Sequence, residues 1–167
     1  MSDSSPSLIR SARPAITAEL MQETGLDDRL LRELVDRFYT KVRADELLGP
    51  IFAARIGDWG PHLERMGEFW SSVALMTGRY HGAPVPAHLG LPVGWGHFER
   101  WLALFRETAA EVCPPQGAAH VAERAERIAR SLHMAVEDQR RSAGGPPGLR
   151  RGAAPCAGSP GPQWSGP

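Results

Sequence analysis

The sequence predicts a single all-α domain, on two observations. Apolar residues recur at spacings of three and four through four long stretches between about Ile16 and Arg140. No segment alternates apolar and polar residues with a period of two over a strand's length.

The first long helix is expected over Asp28–Val42, where Leu31, Leu34, Val35, Phe38 and Val42 share one face. Asp27 or Asp28 can cap its start. Leu47–Phe52 contains Gly49-Pro50 and reads as a turn or short loop. A second helix is expected from near Pro61, a residue suited to a first helical turn. It carries His62, Met66, Phe69, Trp70, Val73 and Leu75 towards Gly78, a C-terminal stop. Residues 78–96 are so rich in glycine and proline that only a very short helix fits. A third long helix covers about His97–Val112, with Phe98, Trp101, Leu102, Phe105, Thr108 and Val112 on one stripe, and Pro114-Pro115 ends it. The last runs from about Gln116 to Arg140, with Val121, Ala125, Ile128, Leu132 and Val136 on one face.

Around this domain (16–141), residues 1–15 read as a flexible leader and 142–167 as a disordered tail. Half of that tail is glycine and proline, so it has too little apolar surface to offset its ordering entropy. The 167 residues suffice for one core without disulfides. Cys113 and Cys156 are far apart, and no structural disulfide is expected. Nineteen basic residues balance nineteen acidic ones, which gives no sign of a nucleic-acid partner. No apolar run is long enough for a membrane span or a signal peptide, so the expected location is cytoplasmic.

Enzyme signatures are missing. No HExxH or Cys/His cluster marks zinc, no GxSxG elbow marks a nucleophile, and no glycine-rich phosphate loop is present. What remains is placement. His62 lies on the apolar stripe of the second helix. Tyr39 is directed near the core from the first, and Trp101 lies on the stripe of the third. Buried hydroxyl, imidazole and indole groups need partners. His88 sits in the Gly/Pro-rich linker, where a ligand is held by backbone turns. From these residues alone a plain helical domain with satisfied core aromatics stays open. His81 and His97 read as surface residues, His120 and His133 as solvent-facing, and Trp59 and Trp70 as packing.

Seven segments in order resemble the group III truncated haemoglobins. They are Phe38-Tyr39-Thr40-Lys41-Val42-Arg43, Leu48-Gly49-Pro50-Ile51-Phe52, Asp58-Trp59-Gly60-Pro61-His62-Leu63, Phe69-Trp70, Thr77-Gly78-Arg79-Tyr80, His88-Leu89-Gly90-Leu91-Pro92 and His97-Phe98-Glu99-Arg100-Trp101-Leu102-Ala103-Leu104-Phe105. The Gly-Gly motifs expected of groups I and II are missing from this region; the one Gly-Gly pair is Gly144-Gly145.

That resemblance implies a two-over-two helical globin around a b-type haem, iron protoporphyrin IX, not bound through thioethers. By position His88 is similar to the proximal iron ligand. Tyr39, His62 and Trp101 are similar to the polar distal residues, with Met66 one turn past His62. Phe52 is similar to the phenylalanine that packs on the haem. Dioxygen and other diatomic molecules are the implied ligands, and an external reductase the implied partner. Redox chemistry on oxygen, nitric oxide or peroxide is one implied activity; a ligand sensor or electron-transfer protein is another. A cofactor-free helical interaction module is the alternative from a different class. Arg55 and Arg79 are candidates for pairing with haem propionates, against solvated surface charge.

Overall fold

The computed structural model describes residues 10–144. The first nine leader residues, and the tail from residue 145 with Cys156, lie outside them. Seven helices follow in order: α1 (Pro14–Thr24), α2 (Asp28–Ala44), α3 (Gly49–Ala53), α4 (Trp59–Leu75), α5 (Pro84–His88), α6 (Trp95–Val112) and α7 (Pro115–Ala143). Helix α2 packs on α4 and α6 on α7, and the pairs join through α2 against α6 and α4 against α7. That is a two-over-two arrangement, with α1 laid across α4 and α7.

The apolar stripes form the core. Leu31, Leu34, Val35, Phe38 and Val42 of α2 are buried against Trp70, Leu75, Phe105, Val121, Ala125 and Val136. Phe105 stacks on Trp70 at 4.5 Å and on Trp101 at 5.4 Å between ring centroids, so three aromatic rings tie α4 to α6. Asp27 is the α2 cap, and its carboxylate accepts from the Leu30 N–H at 2.8 Å. No helix among the described residues is long and apolar enough to cross a membrane.

Several elements depart from the sequence expectation. Gly49-Pro50 opens helix α3 instead of forming a loop. The Asp45 carboxylate accepts from the N–H groups of Leu47 and Leu48 just before it, and proline suits the first helical turn. Gly49 is needed for a different reason: a Cβ there would lie 2.8 Å from the Arg43 carbonyl oxygen. Helix α4 starts at Trp59, capped by Asp58, and stops at Leu75, three residues before Gly78. The residue that leaves it is Met76, in the left-handed region at φ 55°. Side chains elsewhere close this end. Thr17 donates to the Leu75 carbonyl at 2.7 Å, His120 Nε2–H to Ala74 at 2.8 Å and Arg124 to Val73 at 3.1 Å. Helix α1, which periodicity did not announce, is held by this Thr17 anchor and by its packing on α4 and α7, with Leu20 and Met21 half-buried on the core.

Candidate functional site

Tyr39 projects from the buried face of α2, and its ring is 5 % exposed. It stands edge-on to His62 of α4 (5.2 Å, 86°) and to Phe52 of α3 (5.9 Å, 69°). Trp59 adds a third wall, 5.9 Å from Tyr39 and 5.6 Å from His62, with the Arg43 guanidinium 4.6 Å over its ring. The sequence marked Trp59 only as packing; its place three residues before His62 was the available signal, since that spacing shares a helix face. Met66, one turn beyond His62, and Phe52 are half-buried against the core. Trp101 is half-buried on α6 and joins the cluster through Phe38, which meets Tyr39 at 5.0 Å and Trp101 at 5.3 Å.

Burial sets the protonation of this cluster. It pushes the Tyr39 phenol well above its ordinary range, so the hydroxyl keeps its proton. It pushes His62 down to about 4, with the nearby Arg65 charge a smaller second cause, so the imidazole is neutral at pH 7. Nε2 of His62 is buried and has no hydrogen-bond partner. An orphaned buried polar atom costs about 1–3 kcal/mol, so the exception calls for an explanation.

His88 stands apart from this cluster, at the C-terminal end of α5, which packs on α7. Its Nδ1 lies 2.7 Å from the Pro84 carbonyl oxygen. A carbonyl only accepts, so Nδ1 carries the proton and Nε2 keeps a free lone pair. The same pattern holds metal-binding imidazoles in one tautomer and orientation.

Four side chains sit otherwise than expected. Arg79 is half-buried and not a solvated surface charge: it pairs with Asp28 at 2.5 Å, and Ser71 donates to the same carboxylate at 3.1 Å. His120 is half-buried, with Nε2–H on the Ala74 carbonyl and Nδ1 accepting from Arg124 at 3.1 Å. His133 is half-buried between the rings of Trp95 (5.3 Å) and Phe98 (5.7 Å). His97 Nδ1 accepts from the Gly94 N–H at 3.0 Å and so caps α6. Arg55 is exposed, as is His81.

The donor set fits a haem-binding protein. An imidazole oriented with one ring nitrogen free, and separately a neutral histidine with an unpartnered Nε2 beside a protonated tyrosine, are groups that would suit a haem iron and a small polar ligand.

Known proteins agree. Residues 19–134 match the family model described as bacterial-like globin. The group 3 truncated haemoglobin of Campylobacter jejuni is 37% identical over 114 residues, which cover 65% of this chain and 90% of that protein. The crystal structure of group III truncated haemoglobin from Campylobacter jejuni superposes with a TM-score of 0.63 at 34% identity, covering 66% of this chain and 91% of that one. The chain therefore belongs to the bacterial-like globin family, with the all-helical fold of a truncated haemoglobin.

Proposed function

We propose that this chain binds b-type haem through His88 and takes up dioxygen and other diatomic ligands on the face lined by Tyr39, His62 and Trp101. We infer that it performs redox chemistry on oxygen, nitric oxide or peroxide, with electrons from an external reductase, and does not transport oxygen. The buried, unpartnered Nε2 of half-buried His62, beside Tyr39, carries this conclusion. A polar atom shut off from water and left without a partner is explained by a ligand that meets it.

When bound, haem would supply a redox-active iron able to take up a small molecule. Every other part of the mechanism belongs to the chain. His88 presents Nε2 in one fixed orientation because Nδ1–H is spent on Pro84. Tyr39, still protonated, and the Trp101 indole N–H donate to a ligand that gathers negative charge. Each hydrogen bond to a charged acceptor contributes about 1.5–3 kcal/mol. Two of them slow ligand escape by about a hundredfold or more, at ~1.4 kcal/mol per factor of ten. So slow a release suits turnover better than delivery. Phe52 and Met66 add apolar cover that excludes water, which strengthens both donors. His62, neutral, can accept from or donate to the ligand without adding charge.

The absorption spectrum of purified protein tests the cofactor: a Soret band is expected, and His88→Ala abolishes or weakens it. Protein that stays colourless after hemin titration overturns the proposal. Turnover of peroxide or nitric oxide with an added reductant tests the redox role, and no turnover with either removes it.

A further inference from the structure

The chain just past His88 is a built turn. Leu89 has φ −65° and ψ 138°, Gly90 has φ 79°, and the Leu91 N–H donates to the His88 carbonyl at 3.3 Å. These angles are those of a type II β-turn, in which the third residue needs positive φ and so favours glycine. A turn tied by one long hydrogen bond does not hold its position by itself.

The C-terminal part of α7 holds it. Gln139 Oε1 accepts from the Gly90 N–H at 2.7 Å. Arg140 Nη2 donates to the Leu91 carbonyl at 3.2 Å and to the Val93 carbonyl at 2.6 Å. Its other nitrogen, Nη1, is steadied by Glu137 at 2.8 Å. Two consecutive side chains, 49 positions from the residues they meet at Gly90 and Leu91, thus take two of the turn's free backbone groups and a third, at Val93, just beyond it. Helix α5 has only five residues and packs on α7 alone of the helices, so this grip is a main fixture of the segment that ends in His88.

We infer that Gln139 and Arg140 are positioning residues for His88: they set where its imidazole stands relative to the core by clamping the turn that follows it. This role rests on His88 holding the haem. Arginine suits the task because its planar fork serves the Leu91 and Val93 carbonyls and the Glu137 carboxylate at once.

The test uses haem-loaded full-length protein with Arg140→Met, Gln139→Leu and Gln139→Glu, each followed by three measurements. These are haem transfer to an excess of a scavenging apoprotein, the iron–histidine stretching band of the ferrous form, and the urea midpoint. Arg140→Met is expected to lose haem about tenfold faster, the scale of one hydrogen bond to a charged group, and Gln139→Leu several-fold faster, the scale of a neutral one; both are expected to shift or broaden the band. Gln139→Glu keeps an acceptor for the Gly90 N–H and is expected to match wild type in both. Unchanged transfer rate and band in both Arg140→Met and Gln139→Leu overturn the inference, as does a lowered urea midpoint with the band unmoved. His88→Ala is the separate control. If it keeps the wild-type band, His88 is not the ligand, a failure distinct from that of the clamp.

Discussion

The rings of Tyr39 and His62 meet edge to face, 5.2 Å apart at 86°, although they come from different helices. One carries a phenol that burial keeps protonated, the other a ring nitrogen that no protein group satisfies. Tyr39→Phe keeps the ring contact and removes only the hydroxyl. Oxygen release is expected to accelerate by about tenfold or more, from the loss of one hydrogen bond to a charged acceptor. Stopped-flow off-rates of wild type and variant check this; equal rates would exclude Tyr39 as a ligand donor.

His62 also makes stability depend on pH. Its folded pKa lies near 4, against 6.5 for an unburied imidazole. Above about pH 6.5 neither the folded nor the unfolded chain protonates it. Between 6.5 and about 4 the unfolded chain takes up a proton that the folded chain refuses, so stability falls as pH falls. Below about 4 both states bind it and this contribution levels off. Urea midpoints across that window are expected to drop more steeply in wild type than in His62→Leu. Parallel curves would place His62 in water.

Thr17 is buried, receives the Ser11 hydroxyl proton and gives its own to the Leu75 carbonyl at 2.7 Å. Thr17→Val preserves shape and strands that carbonyl, an expected loss of about 1–3 kcal/mol. Urea unfolding measures it. A variant as stable as wild type would mean that α1 does not anchor the end of α4.

Gly117 lies in the first turn of α7, where alanine would ordinarily favour the helix by about 1 kcal/mol. Here a Cβ would meet Leu26 Cδ2 and the Thr24 carbonyl oxygen, each at 2.8 Å. Gly117→Ala is therefore expected to destabilise the protein, by about 1–3 kcal/mol for the forced shift. A raised melting temperature would contradict the close approach of α7 to the α1–α2 link.

Phe105 is fully buried between Trp70 and Trp101. Phe105→Ala is expected to cost about 3–5 kcal/mol, the range for emptying a core aromatic site. It also frees Trp101 from its stacking partner, so a shift in tryptophan fluorescence should accompany the lowered midpoint.

By itself the sequence determined the helical class, the four long helices and the inward direction of Tyr39, His62 and Trp101. Each depends on residues three or four apart, and helical periodicity writes such relations locally. The ordered segments around these residues also carried the family. Helix α3 and the true end of α4 were less legible. Gly49-Pro50 and Gly78 read as breaks, while the Asp45 side chain and the strained backbone at Met76 decided the boundaries.

Only the tertiary structure decided the long-range partners. Arg79 finds Asp28 across 51 positions, His120 reaches the Ala74 carbonyl across 46, and Gln139 and Arg140 grip the turn after His88. No local pattern encodes these pairs, because each forms only when separate helices cross at one angle and register. Hydrogen bonds reach about 3 Å, so a small change in that crossing would give each side chain a different partner or leave it to water.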